Sequence, residues 1–421
     1  MSKNKYLFPL ILVTSLFFLW GFAHNLDPIL IPHLKKSFTL TTVQATLVDS
    51  AVFIAYFIMA IPAGIIMKKF GYKTGIITGL LLFALGCYLF IPAANTQEYS
   101  FFLVALFIIA CGLTILETAA NPYISSLGDS ESSTLRLNLA QSFNGLAAAM
   151  APYIGGKLIL TKGYSETELS RMTASARKFA LAAEASSVKT PYFILGTILV
   201  CIAIAFAFAK LPKIQASEDQ VQGKNIFQTL KHKHLSWGVI AQFFYVGAQV
   251  CVLSLFVLYA PASSGITELQ ATRYLFFCGI AFLCGRFIGT GLMKYFRSSL
   301  LLCVYAIINT LLCFIAIYGH GMITVYSVIA IAFFMSIMFP TIFALGIKNL
   351  ETETEAGSSL IVMSIVGGAV LPRVFGYISD VTNNIQYGYY VPMLCFAVIA
   401  FFGWKGHRVF LKPEKIISPI F

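Results

Sequence analysis

Long runs of apolar residues, separated by short polar stretches, recur along the whole chain. A helix crossing the hydrocarbon core of a bilayer needs about 20 apolar residues, and the runs have that length. They predict twelve spans, at approximately 7–34, 42–67, 74–94, 99–126, 136–161, 190–211, 236–261, 269–294, 299–319, 322–347, 357–381 and 388–410. The runs are continuous rather than alternating, which excludes a closed membrane β-barrel. The first run follows Met-Ser-Lys-Asn-Lys-Tyr, is too long for a signal-peptide core and lacks a small-residue cleavage site, so it is expected to remain as span 1. The expected fold is an all-α membrane protein of two six-helix bundles, residues 1–211 and 236–421, joined by a polar linker at 212–235. A second long polar connection, 162–189, lies between spans 5 and 6.

Composition agrees. Of 421 residues 58% are hydrophobic and 11% charged, with a mean hydropathy of +0.82. Soluble domains carry about 25% charged residues, so a soluble enzyme and a disordered chain are both excluded. The net charge of +12 would suggest nucleic acid in a soluble protein; here it reads as basic residues left in cytoplasmic loops. With the N-terminus inside, the cytoplasmic connections hold 18 Lys and Arg and the outer ones 9, so both termini are expected in the cytoplasm of a cell (inner) membrane protein. The nine cysteines lie in apolar stretches with no CxxC pair, and read as buried free thiols rather than a disulfide framework or a metal site.

Charged and amide side chains are costly at mid-bilayer and tend to face a cavity where they work. In span 1, His24-Asn25-Leu26-Asp27-Pro28 combines Asn25 and Asp27 with a proline that removes a helical hydrogen bond. Asp27 is a candidate proton site or a cap on a broken helix. In span 4, Glu117 and Asn121 are four residues apart, on one face, about 27 Å along the helix for Glu117. A desolvated carboxyl favours its neutral form, so Glu117 is the leading candidate for taking up a proton. Asn138, Gln141 and Asn144 make an amide stripe on span 5; amides donate and accept, as sugar hydroxyls do, though such a stripe also serves as interhelical glue. Gln242, Tyr245 and Gln249 share a face of span 7. Asp49 in span 2 is either a second proton site or a solvated group at a cavity mouth. Arg286 and Arg373 need partners, Arg286 being expected at a gate or helix interface, and Asp380 reads as a solvated helix end.

The halves repeat weakly. Ile65-Ile-Met-Lys-Lys-Phe70 matches Gly291-Leu-Met-Lys-Tyr-Phe296, Pro122 with Leu127-Gly128 matches Pro340 with Leu345-Gly346, and Pro152 matches Pro372. Parallel six-helix repeats are the architecture of the major facilitator superfamily, and the basic, glycine-containing Gly64–Lys73 segment looks like its signature loop without the usual acidic residue.

Further motifs sharpen the likeness. Trp20-Gly-Phe-Ala-His-Asn25, Ile61-Pro-Ala-Gly-Ile-Ile-Met-Lys-Lys69, Leu116-Glu-Thr-Ala-Ala-Asn-Pro122, Leu137-Asn-Leu-Ala-Gln-Ser-Phe-Asn144, Tyr245-Val-Gly-Ala-Gln249 and Pro340-Thr-Ile-Phe-Ala-Leu-Gly-Ile-Lys-Asn-Leu350 together resemble the L-fucose:proton symporter family over nearly the whole chain. The resemblance implies a proton-coupled sugar importer working by alternating access, with Glu117 as the coupling acid, Gln141 and Asn144 as sugar-binding amides and Asn25 at a polar position of span 1. Two departures stand out. The fucose-carrying members place the span-1 aspartate one residue later, where this chain has Pro28. Their tyrosine before the span-10 proline is Phe339 here.

The expected partners are a monosaccharide, protons and lipid, with no cofactor beyond the proton, no nucleic acid and a monomeric state. Asn25, Glu117, Asn121, Gln141, Asn144, Tyr245 and Gln249 are the expected sugar contacts, and Glu117, Asp27 and Asp49 the candidate proton sites. A proton-driven efflux pump of the same fold is the main alternative; the amide stripe of span 5 speaks for a hydroxylated ligand instead. No GxxxxGK[ST] segment or hydrolytic motif points to an enzyme.

Overall fold

The protein is described here by a computed structural model, which covers residues 7–26, 34, 37–38, 47–159, 171–209, 211–212 and 226–409. Among the described residues there are helices and no strands. This follows from the apolar runs: in lipid each backbone N–H and C=O must be satisfied within its own segment, which a helix achieves. Nine helical stretches among them are long and apolar enough to cross a membrane. One of these, Ala51–Thr96, contains two crossings. With the apolar Leu10–His24 and the more polar Ser133–Ile159, the twelve expected spans are accounted for.

Several boundaries differ from expectation, each for a local reason. Span 1 is helical over Leu7–His24, and the expected continuation through Asp27 and Pro28 lies outside the described residues. Spans 2 and 3 form one helical stretch, Leu47–Thr96, interrupted at Gly71 (φ 81°, ψ 165°). The expected Gly64–Lys73 loop is therefore helix on both sides of a one-residue corner. That backbone conformation is essentially restricted to glycine and costs other residues about 1–3 kcal/mol. Gly71→Val should accordingly lower the melting temperature of the purified protein, although no neighbouring atom would meet its Cβ; an unchanged melting curve would contradict the assignment.

The expected polar connection 162–189 contains a helix, Ala174–Ser186, whose N-terminus is capped by Thr173 Oγ1 accepting from the Ala176 N–H. Span 7 is divided into Lys233–Ser254 and Phe256–Ser264. Span 10 is divided into Met322–Met335 and Met338–Gly346. Span 11 runs as Thr354–Met363, a tighter turn at Ser364–Val366, and Gly367–Thr382. The break in span 10 has a covalent cause: Pro340 has no N–H to give to the carbonyl of Ser336, four residues back. Nε of Arg286, on span 8, donates to that carbonyl at 2.8 Å.

Large apolar side chains such as Ile58, Leu311 and Leu394 are exposed on the outside of the bundle, as contact with lipid requires. The cysteines are unpaired, but not all are buried as expected: Cys201 and Cys284 are exposed and Cys303 is half-buried.

Side chains from the two halves meet at the end of the bundle that carries the Gly71 corner. Tyr72 hydrogen-bonds the buried carboxyl of Glu355 at the start of span 11. Gly64 lies directly against Ser359, so close that a Cβ there would overlap the Ser359 hydroxyl. Ser358 Oγ donates to the Thr118 carbonyl at 2.8 Å, Asn138 Nδ2 donates to Thr341 Oγ1 at 3.2 Å, and Arg286 Nη1 donates to the Gln141 carbonyl at 2.9 Å. Counted along their helices, these contacts all fall within about 12 Å of that end.

Candidate functional site

Span 4, Tyr99–Ser126, is buried without interruption from Ile109 to Ser125. Glu117 sits in that stretch with 6% of its surface exposed. Its carboxyl hydrogen-bonds Tyr56 of span 2, and no lysine or arginine contributes to its electrostatic surroundings among the described residues. It is thus a desolvated acid with one neutral partner. Pro122 leaves the carbonyl of Thr118 without its helical donor, and this is the carbonyl that Ser358 takes from the opposite half. The residue next to Glu117 in sequence is therefore an anchor of the closed end.

One turn beyond Glu117, Asn121 is fully buried; its Oδ1 accepts from Gln141 Nε2 at 3.3 Å, while its Nδ2 has no partner among the described residues. Spans 4 and 5 are thereby joined through their amides. The stripe on span 5 divides in role. Asn138 bonds the Thr134 carbonyl and Thr341, an interhelical contact. Gln141 faces Asn121. Asn144 packs on Gly21 of span 1, where a Cβ would lie 2.8 Å from the Asn144 Cγ. Asn25 donates to the Gly21 carbonyl at 2.7 Å, so Asn25 and Asn144 converge on the same residue from two helices.

Across the interface, Tyr245 is fully buried with its ring centroid 6.2 Å from that of Phe339, and its hydroxyl has no partner among the described residues. Arg286 lies within electrostatic range of Tyr245 and under the Phe282 ring, 4.6 Å from its centroid. Its place at a helix interface agrees with expectation. Gln249 is half-buried on the same helix as Tyr245. Arg373 and Asp380 are exposed. Asp27 lies outside the described residues, and Asp49 is helical with its side chain outside them. Sequence reasoning missed Tyr56, an aromatic on an apolar helix with nothing local to single it out. It also did not foresee Ser358 or Thr341, whose partners lie 240 and 203 residues away.

A polar seam between two six-helix sets, built around a desolvated acid, invites comparison with known proteins. The model of the Major Facilitator Superfamily matches residues 11–372. The L-fucose-proton symporter of Escherichia coli (strain K12) is 44% identical over 412 residues, covering 95% of this chain and 93% of that one. The chain belongs to the L-fucose:proton symporter family of the major facilitator superfamily. A glucose/galactose transporter of Brucella abortus is 40% identical over 409 residues, 97% of this chain and 96% of the relative. A crystal structure of the superfamily transporter FucP in the outward conformation superposes with a TM-score of 0.89 at 43% identity, over 95% of this chain and 99% of that one. Pro122, inside the unbroken span 4, and Pro340, just after the break in span 10, fall at corresponding positions of the two six-helix repeats.

Proposed function

We propose that this chain is a proton-coupled importer of a monosaccharide, L-fucose or a related hexose, that works by alternating access. The observation that carries the reading is Glu117: an acid in the enclosed part of span 4, paired with Tyr56 and, among the described residues, with no cation, one turn from an amide that holds Gln141. Such an acid can be charged only while water or the sugar's hydroxyls reach it. Proton and sugar then lower the same desolvation cost, and each favours the binding of the other. The relatives, an L-fucose-proton symporter and glucose/galactose transporters, support a hexose as cargo.

The excess of basic residues, 18 against 9, supports a cytoplasmic position for the Gly71 end. The conformation is then closed inside, in keeping with the similarity to FucP in its outward conformation. Asn25, Asn121, Gln141, Asn144, Tyr245 and Gln249 are proposed to surround the sugar. Asp27 and Asp49 are the proposed further proton sites. Phe339, where the fucose carriers have tyrosine, supplies no hydroxyl, so relative preference among hexoses is the property this position sets.

Uptake of labelled sugars into proteoliposomes under an imposed pH gradient tests the proposal. At least one of L-fucose, D-galactose and D-glucose is expected to accumulate, and collapse of the gradient to stop it. Failure of all three to accumulate would contradict the reading. In the same assay Gln141→Leu should raise the KM of the transported sugar about tenfold or more, because a buried hydrogen bond is lost and Asn121 is left unpaired.

A further inference from the structure

Gln242, on span 7, is completely buried, and among the described residues neither its Nε2 nor its Oε1 has a hydrogen-bond partner. The Tyr245 hydroxyl, one turn along the same face, is also unpaired and buried. Leaving such groups unsatisfied is costly, and an apolar side chain of the same shape would avoid the cost. Three unpaired polar atoms on one helix face mark a surface whose partners arrive in another state.

Their cover can be identified. Gly238 packs on Gly346, a Cβ there falling 3.1 Å from the Gly346 Cα, and the Tyr245 ring meets the Phe339 ring. Gln242 lies between these two points on the same face, so it is roofed by Met338–Gly346, the lower half of span 10. That segment is a separate helix, set off by the break at Ser336 and Ile337. Arg286 fixes the break: one nitrogen holds the Ser336 carbonyl freed by Pro340, and another holds the Gln141 carbonyl in the opposite half. When the halves part at the Gly71 end, the bond to Gln141 is lost, and the roof is free to turn about the break.

We propose that Gln242, with the hydroxyl of Tyr245, is a sugar-contacting group that the lower half of span 10 covers in this conformation and uncovers when the Gly71 end opens. The ligand class is a neutral polyhydroxylated hexose, whose hydroxyls match one amide and one phenol in donors and acceptors. This rests on the sugar-carrier reading above. It adds a contact made chiefly on the side from which the sugar leaves.

The test uses full-length protein in proteoliposomes, with whichever of L-fucose, D-galactose or D-glucose the unaltered chain transports. KM is measured for entry from each face, together with the melting temperature with and without that sugar. Gln242→Met keeps the volume and removes the unpaired amide. It is expected to melt at or above the unaltered protein, to lose most of the sugar-induced shift, and to raise KM from the Gly71 face about tenfold. An unchanged KM from that face, with or without a fall in melting temperature, would overturn the proposal and make Gln242 a packing residue. Should Gln242→Met yield no protein, Tyr245→Phe, which removes a single hydroxyl, decides by the same KM. If the unaltered chain moves none of the three sugars, it is the carrier reading that fails, a result distinct from an unaltered KM in the variants.

Discussion

Glu117→Gln is expected to abolish uphill accumulation of sugar while preserving exchange of sugar for sugar. Glutamine has the shape of the protonated carboxyl and can still bond Tyr56. It cannot carry the charge that makes closure depend on the proton. A carboxylate enclosed without a cation costs several kcal/mol, and each 1.4 kcal/mol is a factor of ten, so the sugar-free, unprotonated carrier should close at least about 100-fold less readily than the neutral one. Glutamine removes that restraint. Labelled sugar should then equilibrate across proteoliposomes and go no higher, whatever the pH gradient, while counterflow against unlabelled sugar continues. Accumulation at the level of the unaltered protein would contradict the assignment.

Gly64→Val should move the conformational equilibrium away from the closed Gly71 end. A Cβ at this position overlaps the Ser359 hydroxyl and comes within 3.2 Å of the Glu355 carbonyl, so one half must give way. Overpacking of this kind costs about 1–3 kcal/mol, which is roughly a five- to 150-fold shift in a two-state equilibrium. Spin labels at Lys69 and Thr352, exposed positions on opposite halves at that end, should report a longer distance in Gly64→Val than in the unaltered chain. Transport should slow, because the inside-closed state has become rare. An unchanged distance distribution would show that the contact is not what holds that end shut.

Much of the architecture was legible in the sequence because lipid permits so little. The length of each apolar run sets a crossing, and the few charged or amide residues inside them stand out against it. Glu117 and Gln141 were readable on those grounds, and the structure joins their helices through Asn121. What was not legible depends on pairings between distant segments. Nothing near Arg286 in sequence says that it serves the carbonyl freed by Pro340, 54 positions on, or that it reaches Gln141 in the other half. The Gly64–Lys73 segment reads as a loop by its glycines and charges, yet one glycine with positive φ suffices to turn the chain. Tyr56 is an ordinary apolar-helix residue until Glu117 is placed beside it.

The most direct measurement of the central claim is the movement of protons with sugar. Vesicles containing the unaltered protein, in weakly buffered medium without any imposed gradient, receive a concentrated pulse of the transported sugar while external pH is recorded. Alkalinisation that accompanies sugar entry, and that is absent with Glu117→Gln although sugar still enters, is the predicted outcome. Sugar entry without any pH change in the unaltered protein, or the same pH change in the variant, would contradict the role given to Glu117.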